Sequence, residues 1–319
     1  MDAPAITFSP ARFLDDIRNT AAALDAPFDE GLTRRVLAAY TADFAAGAVV
    51  WKTTSRPGDD LSYRFYSRSR TDTLAPAIRA GLLPADTPLG PLIEFWSGLY
   101  AGATEQSCDF TARTGLDKTW MWFGGTRPAA EVLDVEPVPD PLRRNMAAFR
   151  RRGLGWVRFL AVDHRRHSVN IYFRVRGPLT AEQCADLVEL AGVTAPGPEV
   201  VAVMREFVPR DYGISVTVSL DDGRVRRVCF YALKLPRERA PEVPERIARF
   251  FAAAPSYDRD ECHVIGWSFG PGDGTYVKAE RSCRGDMVSL FERWACHFSG
   301  SDRTDPALHA PDPEPVGSR

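Results

Sequence analysis

The sequence predicts an α+β fold: a closed, ten-stranded antiparallel barrel built from five repeated αββα units, with helices outside and a ligand site in the lumen. Three observations predict it. A strand–turn–strand phrase recurs at 49–68, 107–124, 156–175, 212–234 and 262–282, a period of about 50–60 residues that marks an array of one supersecondary unit. The stretches between the hairpins read as helices. In nearly every hairpin the second strand alternates, with one face apolar and the other carrying Arg, Lys, Asn or Tyr.

The elements follow in order. Ser9-Pro10 caps and starts a helix over 10–24, and Asp29 caps a second over 30–45. Val49 to Thr54 is a strand, Arg56-Pro57-Gly58-Asp59 is turn chemistry, and Leu61 to Arg68 returns with Ser62, Arg64 and Tyr66 on one face. The later return strands repeat the rule. Lys118, Trp120 and Trp122 share a face, as do Asn170, Tyr172 and Arg174, then Arg227, Cys229 and Tyr231, then Lys278 and Glu280. Asp221-Asp222-Gly223 is a hairpin turn. Amphipathic helices start at Asp140-Pro141 and after Thr180, and two more carry Ile247, Phe250 and Phe251, then Met287, Leu290, Phe291 and Trp294. These helices are expected to cover the apolar face of the sheet. The polar face then turns inward, and closure removes every strand edge. A barrel of more than about eight strands retains a ligand-sized interior.

Composition narrows the function. With 45% hydrophobic residues the chain affords a large core, and a net charge of −2 gives no support for nucleic-acid binding. The six cysteines show no metal spacing and suit buried thiols in a cytoplasm. No leader and no run of 18 apolar residues appears, so a cytoplasmic protein without a membrane partner is expected. One barrel domain is expected over 1–300, followed by a flexible tail, 301–319, rich in Pro, Asp and Gly.

The interior cations point to an anion. Taken singly, each is more often a solvated surface charge; together they recur on one face in five units. Glu280, at period two from Lys278, is either a structural ion pair or a proton-handling group. Trp122 reads equally well as core. Arg174 is placed at a barrel mouth. Gly266-Trp267-Ser268-Phe269-Gly270 matches a hydrolase elbow, but a strand follows where that motif needs a helix. His164 and His167 flank the basic turn Arg165-Arg166 and read as surface residues, with no third metal ligand nearby.

Seven segments carry a resemblance: WKTTSRPGD (51–59), SYRFYSR (62–68), KTWMWFGG (118–125), VNIYFR (169–174), RVCFYALK (227–234), VIGWSFG (264–270) and YVKAERS (276–282). The chain closely resembles the bacterial aromatic prenyltransferases of the αββα-barrel type, most of all the aminocoumarin-pathway enzymes that prenylate 4-hydroxyphenylpyruvate. The resemblance implies transfer of a dimethylallyl group from its diphosphate to an aromatic carbon of a phenolic acceptor in secondary metabolism. It implies a diphosphate site at Lys52, Arg64, Lys118, Asn170, Tyr172, Arg227, Tyr231 and Lys278. It places Glu280 towards the acceptor, Arg158 on an acceptor carboxylate, and Tyr66, Gly213 and Ser215 in the acceptor pocket. Arg158 on its own reads as a charged strand end sharing a face with Leu160 and Val162. Magnesium-requiring relatives carry an acidic residue where this chain has Arg64, and no DDxxD cluster is present, so neither magnesium nor another cofactor is expected. A naphthalene or phenazine acceptor, and a non-catalytic barrel that binds a hydrophobic or anionic metabolite, are the alternatives.

Overall fold

The computed structural model describes residues 8–294. The expected tail, together with Cys296, His297 and His309, lies outside the described residues. Ten strands close into a barrel in the order β1-β10-β9-β8-β7-β6-β5-β4-β3-β2, every pair antiparallel. They are β1 (Ala48–Thr54), β2 (Ser62–Tyr66), β3 (Glu105–Thr111), β4 (Gly115–Pro128), β5 (Trp156–Asp163), β6 (Ser168–Val175), β7 (Tyr212–Ser219), β8 (Val225–Pro236), β9 (Cys262–Phe269) and β10 (Tyr276–Arg284). All five expected hairpins are present, each within a few residues of its predicted bounds.

The helices are α1 (Pro10–Ala23), α2 (Glu30–Ala39), α3 (Thr41–Ala46), α4 (Leu74–Arg79), α5 (Gly90–Leu99), α6 (Ala129–Leu133), α7 (Asp140–Arg143), α8 (Met146–Arg151), α9 (Ala181–Glu189), α10 (Pro198–Phe207), α11 (Glu245–Ala253) and α12 (Met287–Arg293). The cap residues act as the sequence suggests. Ser9 accepts from the Arg12 N–H, Asp29 from that of Leu32, and Thr180 forms a reciprocal capping box with Gln183. The helix expected over 30–45 is two helices. Tyr40 leaves helical geometry between them, and its hydroxyl donates to Thr73 O at 2.7 Å.

Two apolar clusters result from the alternation. The larger lies between the sheet and the helices, where Phe13 stacks on Trp51 at 4.6 Å and Tyr63 on Phe110 at 5.3 Å. The smaller lies inside the barrel and contains Tyr66, Trp120, Phe159, Tyr231, Met287, Phe291 and Trp294. α12 therefore departs from the expectation that every helix lies outside. Its apolar stripe faces the lumen and stops one end of it. Asp286, in the left-handed region (φ 56°), redirects the chain there and caps the helix through the Ser289 N–H at 3.0 Å. Arg293 fixes the far end with two 2.7 Å hydrogen bonds to Glu105. Cys108, Cys184, Cys229, Cys262 and Cys283 are buried free thiols. No helix among the described residues is long and apolar enough to cross a membrane.

Candidate active site

The lumen holds two chambers. The first, with a volume of ≈ 350 Å³, is polar: nine Lys and Arg side chains line it against five Asp and Glu. All eight residues expected at a diphosphate line it, together with Glu280. The second, ≈ 80 Å³, is mostly apolar and includes Tyr66, Arg158, Phe159, Gly213, Phe291 and Trp294. Arg64, Trp120, Tyr172, Tyr231 and Glu280 line both, so the chambers meet at these five side chains.

On one wall of the polar chamber the cations are held by buried acids. Asp109, on β3 opposite Arg64, bonds both Lys52 and Arg64, the latter also through Nη2 at 3.0 Å. Burial pushes the Asp109 carboxyl up, but Arg64 and Lys52 outweigh it and hold it well below the usual carboxylate range. Lys118 donates to Asp117 at 2.7 Å and Asp163 at 2.5 Å. Burial alone would lower the Lys118 pKa; these two carboxylates raise it, so the ammonium stays charged. The sequence reading named none of these acids. The signal was present: Ser107, Asp109 and Thr111 alternate on one face of β3, as the cations do on β2.

The opposite wall differs. Arg227 donates to the neutral oxygens of Tyr276 (2.6 Å) and Thr217 (3.1 Å). Lys278 lies 5.8 Å from the Tyr231 ring centre and 5.9 Å from that of Tyr276. Burial and the Arg227 charge push the Lys278 pKa down. Burial pushes the Tyr276 phenol up, but Lys278 and Arg227 bring it below its ordinary value. Tyr276 was missed although it precedes Lys278 by the strand period. Asn170 accepts from Thr217 at 2.6 Å, which turns its amide N–H groups elsewhere.

At the junction, Arg64 sits 4.0 Å over the Trp120 ring, donates to the Tyr66 hydroxyl, and lies 3.4 Å from Glu280. Trp120 and Tyr172 rings are 4.6 Å apart, and Tyr172 and Tyr231 5.9 Å. Burial raises the pKa of all three tyrosines, 66, 172 and 231, keeping them neutral donors.

Two expectations for the apolar chamber are corrected. Arg158 does not share a face with Leu160 and Val162, which belong to the outer core. A bulge sets Val157 and Phe159 opposite the consecutive residues Phe173 and Tyr172, leaving Arg158 as the extra residue beside the chamber. Ser215 lines neither chamber; its Oγ is 3.0 Å from the Tyr231 hydroxyl and orients that phenol. Arg174 lines the apolar chamber and pairs with Asp211 at 3.3 Å. Gly213 lines the apolar chamber, and a Cβ there would meet only Phe173 O at 4.0 Å. Gly266 is a further constraint: a Cβ would press to 3.1 Å on the Tyr231 ring. Of the two turn histidines, His164 is half-buried, with Nε2 3.0 Å from Thr119 Oγ1, while His167 pairs with Asp221.

Known proteins share this architecture. The 5-dimethylallyltryptophan synthase structure from Streptomyces coelicolor superposes with a TM-score of 0.53 over 85% of this chain and 96% of its own, at 14% identity, which defines the fold class as the prenyltransferase barrel. The family described as "Aromatic prenyltransferase Orf2" matches residues 8–295. A Streptomyces niveus protein, 4-hydroxyphenylpyruvate 3-dimethylallyltransferase, is 48% identical over 95% of this chain and 94% of its own. A Sclerotinia sclerotiorum aromatic prenyltransferase is 45% identical over 92% and 96%. The chain belongs to the aromatic prenyltransferase Orf2 family. It is therefore a transferase, and the non-catalytic carrier is set aside.

Proposed function

We propose that the protein transfers a dimethylallyl group from its diphosphate to a ring carbon of a phenolic acceptor of the 4-hydroxyphenylpyruvate type, without a metal ion. The observation that carries this reading is the junction of an anion-binding chamber with an apolar one. The name of the 48% identical relative supports both substrates.

Lys52, Arg64, Lys118, Arg227 and Lys278 hold the diphosphate, with Tyr172, Tyr231 and Asn170 as neutral partners. The allylic C–O bond breaks and its electron pair leaves on the diphosphate. Donors already fixed in place stabilise that developing charge without reorganising. Trp120, Tyr172 and Tyr231 present π faces to the allyl cation, and α12 excludes water from below. The ring's π electrons form the new C–C bond, and the ring carbon then passes its proton to the released diphosphate. Glu280 accepts the phenol hydrogen bond and draws electron density to the attacking carbon. Arg158 pairs with the acceptor carboxylate. Arg64 supplies the charge that magnesium provides elsewhere, and Asp109 is already engaged by Lys52 and Arg64.

The test is incubation with dimethylallyl diphosphate and 4-hydroxyphenylpyruvate in excess EDTA. A C-prenylated product with one diphosphate released per turnover is expected. Absence of product both in EDTA and with excess magnesium overturns the substrate reading; activity lost in EDTA and restored by magnesium overturns the metal-free one.

A further inference from the structure

The basic turn between β5 and β6 is left unused by this mechanism. Arg165 and Arg166 are exposed, yet both line the polar chamber. The other two arginines of that chamber that sit in turns are paired: Arg56 with Asp59 at 2.9 Å, and Arg113 with Asp60 at 3.0 Å. Among the described residues, neither the Arg165 nor the Arg166 guanidinium has a carboxylate within ion-pair distance, although the Arg166 charge is felt by Asp163. The nearby acids are committed. Asp163 Oδ1 accepts the backbone N–H groups of Arg165 (3.1 Å) and Arg166 (2.8 Å), its Oδ2 takes Lys118, and Asp221 takes His167. One carboxylate thus fixes the turn from its backbone side and anchors the first interior lysine.

We propose that Arg165 and Arg166 form an outer capture site for the diphosphate anion, ahead of the inner cations. The inference rests on the diphosphate reading of the chamber. Among the described residues, two cation pairs of the chamber have no carboxylate within ion-pair distance: this one at the rim and Arg227–Lys278 inside. An incoming di- or trianion meets the exposed pair first and passes inward to the desolvated one. The whole chain carries 42 acidic against 40 basic residues, so the field that draws an anion here is local to the chamber.

The probe is inorganic pyrophosphate, titrated by calorimetry into the full chain at low and at high salt. Arg165→Gln/Arg166→Gln should weaken binding about tenfold at low salt, and the gap should close as salt screens exposed charge. Arg165→Lys/Arg166→Lys should restore most of the affinity, which a merely structural role would not. Arg113→Gln, whose charge is already balanced by Asp60, should lose much less. Equal pyrophosphate affinity for wild type and the double Gln variant at low salt overturns the capture site alone. No binding by the wild type overturns the diphosphate reading with it.

Discussion

Arg158 reaches the apolar chamber because one residue is inserted into β5. Its neighbours alternate normally, so strand period alone assigns it to the outer face, and nothing in WVRFLAVD marks the bulge. Its role is testable by comparing acceptors. Arg158→Ala should raise KM for 4-hydroxyphenylpyruvate at least about tenfold more than for a neutral dihydroxynaphthalene, because a charge-assisted pair is worth about 1.5–3 kcal/mol. Equal losses on both would remove Arg158 from carboxylate recognition. His164 offers a stability test on the same hairpin. Burial pushes its pKa from the usual 6.5 down to about 4. The unfolded chain then binds the proton more tightly than the fold does. Stability is full above about pH 6.5 and falls as pH drops towards 4, by about 2–3 kcal/mol across the window. Urea unfolding at pH 7.5, 6.5 and 5 should show this slope, and His164→Gln should flatten it.

At the scale of elements, the barrel was legible because the polar residues of the return strands keep to one face of the sheet. The outer face is Val, Ile and Phe under helices, and the inner face carries the cations and tyrosines, so period two separates them except at the β5 bulge. The last helix was legible as a helix and not as a plug. Met287, Leu290, Phe291 and Trp294 form the same stripe whether they cover a sheet from outside or stop its lumen; only the three-dimensional path after Asp286 decides. That path puts the Trp294 ring 4.8 Å from Tyr66 and 5.0 Å from Phe159, as the floor of the acceptor space. Trp294→Leu should open that floor. The kcat/KM ratio of a bicyclic to a monocyclic phenol should rise about tenfold, while thermal stability drops by a few kcal/mol for the lost aromatic packing. An unchanged ratio would show that the acceptor never reaches α12.

Across the whole molecule, the barrel encloses more cations than its own acids neutralise. Sequence reasoning found the cations because they recur on five return strands. It passed over Asp109 because that acid stands on the partner strand of the second hairpin, where the period is the same but the sign is opposite. The expected consequence is a fold that a bound anion stabilises. Asp109 carries much of the internal compensation: its side chain is 1% exposed and Arg64's 3%, and breaking a buried pair by removing one partner costs about 3–5 kcal/mol. Asp109→Asn should therefore lower the melting temperature, since Arg64 and Lys52 lose their common counter-charge. On the proposed reading, pyrophosphate binds only the folded chain and returns negative charge to the same chamber, and would then stabilise it by mass action. The rise in melting temperature at saturating pyrophosphate should be larger in Asp109→Asn than in wild type. Differential scanning fluorimetry of both proteins, with and without pyrophosphate, measures the two shifts side by side. An equal or smaller shift in the variant would mean that the anion does not reach Arg64 and Lys52, and would move the diphosphate to the Arg227–Lys278 wall.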